Sequence, residues 1–171
     1  MFGSLVFGNG GLVAPRVFEA ISAVTLNVSN TTGSKVVYTV TGFVWVHALW
    51  AEVTTVISAN HTAGHLRTND QTANIDVTLN TGITLSGLAV GTVIYKESLT
   101  AAALQLKSNA AGCFEEPATA GIPSFSPFIL GKKTAAVTTL DYRYTTTDAP
   151  SSGVLTWHAL WSPITADGGL A

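Results

Sequence analysis

His61 and His65 stand four apart, with Asp70 close behind. Two imidazoles and a carboxylate make a zinc donor set when the backbone turns them to one side. Four-residue spacing does that on a helix, but Thr62, Ala63 and Gly64 fill the gap and make a poor one. The expectation is no metal, with both histidines in a solvated loop. Glu115 and Glu116 are consecutive and point apart if extended, whereas sugar hydrolysis needs two acids facing one bond. Asp76 and Asp141 are expected on the polar faces of ordinary strands. Asp141 and Arg143 share a face at i, i+2, where a surface ion pair is worth little. There is no Gly-x-Ser-x-Gly elbow, no phosphate-cradling glycine loop and no cysteine–histidine constellation. The chain is therefore read as non-enzymatic, with no cofactor and no metal. Three Asn-x-Ser/Thr triplets begin at Asn27, Asn30 and Asn60. An Asn- and Thr-rich chain produces these by chance.

His47 and His158 belong to a repeated tetrapeptide. His47-Ala48-Leu49-Trp50 and His158-Ala159-Leu160-Trp161 each close an apolar run that begins after a glycine, Gly42 and Gly153. All four tryptophans, Trp45, Trp50, Trp157 and Trp161, lie in these two segments. The runs are rich in β-branched and aromatic residues and predict strands. Unlike the other strands, they carry large apolar groups on both faces. A second apolar face needs a cover, and for a chain this small the cover is another subunit or a larger assembly. The two histidines are expected as hydrogen-bonded core or interface residues. Equal parity shares a face in a strand. That places Ala and the final Trp on one side of both copies, and His and Leu on the other.

Composition sets the frame. The chain has 171 residues, one domain by length and enough for a real core. Only 11% of residues are charged, against about a quarter in an ordinary soluble domain. A net charge of -2 offers no footprint for nucleic acid. No apolar run is long enough to span a bilayer as a helix. The lone Cys113 leaves no internal disulfide.

The chain then divides into strands. Val24, Leu26 and Val28 alternate with polar residues, as do Val36, Tyr38 and Val40. Gly42 predicts a bend, and Thr54 to Ser58 continues as strand. Residues 60–70 are too polar for a core element, with Leu66 as an anchor. Ile75, Val77 and Leu79 form the cleanest one-sided strand, and Val93 and Tyr95 share a side of another. Residues 99–107 are expected mostly as strand. Residues 109–127, with three prolines, form a long loop. Phe128-Ile129-Leu130 resumes the sheet, and Leu140, Tyr142 and Tyr144 alternate with Asp141, Arg143 and Thr145. About eight to ten short strands with turn signals predict an all-β antiparallel β-sandwich, jelly-roll-like. The expected organisation is an extended N-terminal arm, residues 1–20, and one sandwich domain, residues 21–171. The start lacks a basic stretch, and Gly8-Asn9-Gly10-Gly11 interrupts its apolar run, so no signal peptide is expected. Exposed Phe2, Leu5, Val6 and Phe7 suit an arm that binds a neighbour.

The ending Gly153-Val154-Leu155-Thr156-Trp157, running on through Trp161-Ser162-Pro163-Ile164 to Asp167-Gly168-Gly169-Leu170-Ala171, resembles the C-terminus of small β-rich structural proteins of tailed bacteriophages. Val37 to Gly42, Val44-x-Val46 and Val53-Thr54-Thr55 are similar to their first core strand pair. Ile164 in place of leucine and the His-Ala-Leu-Trp duplication depart from that pattern. The resemblance implies a virion component, either a capsid cement (decoration) protein or a tail-associated module. Its partners would be the major capsid protein and further copies of the chain, as a homotrimer. Its place would be the capsid exterior, after synthesis in the bacterial cytoplasm, with neither nucleic acid nor membrane as partner. Candidate interface residues are Phe2, Leu5, Val6, Phe7, Trp45, His47, Trp50, Trp157, His158 and Trp161. The alternative is a tail or baseplate module holding host carbohydrate on exposed tryptophans. A secreted lectin-like domain is a third reading, disfavoured by the absent carboxylate pair.

Overall fold

The computed structural model describes residues 6–7, 11–12, 16–26, 32–57, 61–70, 74–80, 82–96, 103–107, 127–133, 137–146 and 152–171. Every regular element among them is a β-strand, and all pairings are antiparallel. The first large sheet runs β3 (Phe18–Thr25), β12 (Val154–Pro163), β5 (Phe43–Thr55), β8 (Val93–Tyr95), β9 (Gln105–Lys107). In it β10 (Phe128–Gly131) pairs with the start of β5, and β8 pairs further along the same strand. The second sheet runs β13 (Gly169–Leu170), β4 (Thr32–Thr41), β11 (Thr138–Thr146), β6 (His61–Asn69), β7 (Asn74–Asp76). β1 (Val6–Phe7) and β2 (Gly11–Leu12) form a two-stranded sheet of their own.

One hydrophobic core joins the two large sheets. Leu155, Trp157 and Ala159 of β12 enter from the first sheet, and Leu140, Tyr142 and Tyr144 of β11 from the second. The Trp157 and Tyr142 rings meet with centroids 5.5 Å apart. Tyr38 of β4 donates its hydroxyl hydrogen to the Ala20 carbonyl of β3 at 2.9 Å, so a polar tip is satisfied inside the core. Period-two alternation explains β11 and β12, because each sends every second side chain inward. Gly42 has φ of 50°, a left-handed turn that glycine makes without strain. It ends β4 and starts β5 as a sharp corner.

Four strand expectations are corrected. Residues 61–69 form β6, inside the second sheet between β11 and β7. Its polarity belongs to its outer face, while Leu66 and His61 are fully buried on the inner one. The stretch from Ile75 to Leu79 is not a long one-sided strand. Only Asn74–Asp76 pairs, with Ile75 65% exposed and Val77 buried. On β4 the register skips Val37 between Tyr38 and Val36. That bulge sends Val37 inward and leaves Val36 exposed. On β8 Val93 and Tyr95 do share a side, but the buried residue is Ile94 between them. The loop 109–126, the Glu115-Glu116 pair, Cys113, the turn 147–151, and Phe2 and Leu5 lie outside the described residues.

Candidate functional site

The site is the outer face of the first sheet. Its inner face is the core: Val44, Val46, Leu49, Ala51 and Val53 of β5 are all buried. The alternate residues of β5, β12 and β3 therefore point away from the core. Register places Ile21, His158, Trp50 and Tyr95 in one row across four strands. The adjacent row is Ala23, Thr156, Glu52 and Val93. Towards the other end, Ser162, Trp45 and Ile129 line up across β12, β5 and β10, with Phe43 beyond.

Two ring pairs organise this face. Trp50 and His158 stack with centroids 5.1 Å apart and planes 4° from parallel. Trp45 and His47 stack at 5.9 Å and 13°. Each imidazole is held by a hydrogen bond. His158 Nδ1 lies 3.1 Å from Glu19 Oε1, and His47 Nε2 lies 2.9 Å from Ser162 Oγ. Exposed aliphatic and aromatic groups surround the pairs: Ile21 is 61% exposed, Ile129 59% and Phe43 48%. Glu19 and Glu52 are the charged residues that register puts on the face of β3, β12, β5 and β8.

The outer face of the second sheet is different in kind. Asp141 is nearly buried and accepts hydrogen bonds from Ser34 at 3.1 Å and Thr139 at 2.6 Å. It stands opposite Arg67, which stands opposite Asp76. Burial, then the charge of Arg143, draws the Arg67 guanidinium below its usual range, while Asp76 and Asp141 oppose that shift. The expected Asp141–Arg143 ion pair does not form: Asp141 is satisfied by hydroxyls instead. His61 and His65 are not solvated loop residues. His61 is fully buried and packs on the Tyr144 ring at 4.9 Å. His65 lies on the outer face, where Nδ1 donates to the Ala63 carbonyl at 2.7 Å and Nε2 sits 3.8 Å from Asp76. A bulge at Ala63, with φ of 54°, and Gly64 separates them onto opposite faces. They therefore do not share a ligand. Among the described residues no three His, Cys, Asp or Glu side chains converge on a metal position.

The structure brings together Trp45, His47, Trp50 and His158 from the sequence-derived set. Trp157 is fully buried in the core and leaves that set. Trp161 packs on the core rim and stacks with Phe18 at 5.0 Å. Val6 and Phe7 lie in β1, paired with Leu12 and Gly11. The expected equivalence of the two His-Ala-Leu-Trp copies fails. On β5 the register steps from Ala48 opposite Leu160 to Val46 opposite Trp161, leaving His47 as an extra residue. The bulge flips the phase, so Leu49 enters the core and Trp50 faces out. On β12 Trp157 and Ala159 are inward, with His158 and Leu160 outward. Sequence reasoning missed Ile21, Phe43 and Ile129. Their runs were legible as apolar, but exposure depends on which sheet face receives the core.

No protein-family model matches the chain, and no curated protein or solved structure matches it.

Proposed function

We propose that this chain is a non-enzymatic bacteriophage virion protein, a capsid cement (decoration) protein that docks on the major capsid lattice. The observation that carries the reading is the outer face of the first sheet. It presents Ile21, Phe43 and Ile129 exposed around the Trp45 and Trp50 ring pairs, although the other face of the same sheet already fills a core. Contiguous exposed apolar patches on small proteins mark contact surfaces, and Trp and Tyr anchor them. Four strands at about 4.8 Å spacing and eight residues at about 3.3 Å give a footprint of roughly 500 Å² in projection. A stable stand-alone interface takes about 800 Å² per partner. A face of this size suits a module that binds as one of several linked copies, where avidity supplies the remainder. That suits a homotrimer on the capsid exterior, with the residues before β3 as an arm adding contact; the expected arm boundary at residue 20 moves back, because Phe18, Glu19 and Ala20 pair with β12 inside the sandwich.

The strand order supports a jelly-roll sandwich. β3, β12, β5 and β8 make one layer and β4, β11, β6 and β7 the other, so the chain crosses between layers repeatedly. Jelly rolls recur in viral capsid and lectin domains. Binding only the finished lattice would stabilise it by mass action. A second reading, host carbohydrate recognition, is favoured by the half-exposed Trp45, Trp50 and Tyr95 beside Glu52. Co-sedimentation with virus particles stripped of this protein tests the proposal. The parent binds, and Ile21→Asp, which puts one charge on the apolar face, binds at least tenfold more weakly with unchanged melting. Failure of the parent to sediment with particles, together with retention on a glycan surface, refutes cement and selects the second reading.

A further inference from the structure

We infer that docking through the outer face of the first sheet is regulated by protons, with His47 as the sensor. This rests on the docking reading above and adds its control. His47 is the extra residue of the β5 bulge, so it projects from the face at a point where the strand has no register partner for it. Ser162 of β12 holds Nε2 at 2.9 Å, Trp45 of its own strand stacks on the ring, and β10 contributes Ile129 beyond Trp45. No carboxylate pairs with His47 among the described residues.

His158 has the same ring partner type but a different charge environment. From β3, Glu19 Oε1 lies 3.1 Å from Nδ1, and Ile21 stands opposite. From β5, Trp50 stacks on it, and Glu52 is two residues along the same face. Tyr95 of β8 follows Trp50 in the row. When His158 gains a proton, Glu19 balances it, and the two enter an interface as a neutral pair. When His47 gains a proton, no carboxylate among the described residues pairs with it. A docked partner that excludes water then leaves an uncompensated cation against apolar groups, which is strongly disfavoured.

Histidine is the side-chain type that changes charge between pH 5 and 8. If the docked state holds the His47 ring neutral, the proton taken up by the free state opposes docking, so affinity falls as the pH drops, by at most about tenfold per pH unit.

The test is sedimentation with stripped particles at pH 7.5 and 5.0, at constant ionic strength, with circular dichroism confirming the folded state at both. The parent weakens by about tenfold or more at the lower pH. His47→Gln, which can keep the bond to Ser162, weakens less than threefold, while His158→Gln keeps the full drop. Equal docking of the parent at both pH values overturns the sensor and leaves the docking reading intact. Docking at neither pH overturns the docking reading itself. A drop that survives in His47→Gln and vanishes in His158→Gln overturns the assignment to His47. A second readout needs no partner. An imidazolium quenches an indole stacked on it, so acidification lowers tryptophan emission of the isolated parent through both the Trp45–His47 and the Trp50–His158 pairs, and His47→Gln keeps only the second share of the fall. Superimposable emission titrations of the two proteins also overturn the proposal.

Discussion

Trp157→Ala and Trp50→Ala remove the same side chain from opposite faces of one sheet. Trp157 is fully buried, tilted against Tyr142 at 5.5 Å, opposite Ala51 of β5. Truncating a core Trp costs about 3–5 kcal/mol through lost burial and the cavity left behind. A domain of this kind holds only about 5–15 kcal/mol in all. One kcal/mol moves the melting temperature by about 2–4 °C at this chain length, so Trp157→Ala melts roughly 6–20 °C lower. Trp50 is half-exposed and stacked on His158. Its loss forfeits a ring pair of about 0.5–1.5 kcal/mol and part of its area, about 1–2 kcal/mol together. Its melting temperature falls by a few degrees, and the folded fraction at room temperature stays near one. Scanning calorimetry on both variants, with particle binding measured alongside, separates core from docking surface. Trp157→Ala loses stability, whereas Trp50→Ala loses binding while folded. Equal melting losses in the two variants would refute the assignment of faces.

Two further outcomes follow from the geometry. Gly42→Ala forces a β-carbon onto a backbone with φ of 50° and into Thr165 and Asp167; it should lower stability by more than about 1 kcal/mol in urea unfolding. Burial holds the Tyr38 and Tyr142 hydroxyls well above the usual tyrosine range, with the Glu19 charge adding at Tyr38 and Tyr144 at Tyr142. Because folding raises these values, the stability tied to both groups is complete below about pH 10 and drains away as pH climbs further. Absorbance at 295 nm should show Tyr38 and Tyr142 ionising only as circular dichroism is lost.

Much of the fold was legible in the chain. β11 alternates apolar and polar residues with period two, and β-branched and aromatic residues fill both it and β12, so strand type followed from local sterics. Gly42 marked a corner because no other residue takes its backbone angle cheaply. The polar run from His61 to Asn69 misled because alternation was judged from apolar residues alone. Its inner face is carried by Leu66 and by His61, a residue whose type does not announce burial. Ile75 to Leu79 misled in the opposite direction. The alternation is real, but the strand stops at Asp76, and Ile75 stays exposed.

By itself the sequence determined a β-rich, weakly charged chain with aromatic residues concentrated in two strands, and the absence of catalytic motifs. Those properties are local: composition, period and spacing are fixed by the order of residues. Only the tertiary structure decided which tryptophan is core and which is surface. Both copies of His-Ala-Leu-Trp carry the same residues, and parity alone treats them alike. The bulge at His47 shifts one copy by a single residue, and a one-residue shift exchanges the two faces of a strand. Whether a bulge forms depends on pairing with β12, more than a hundred positions away, and no local pattern contains that information.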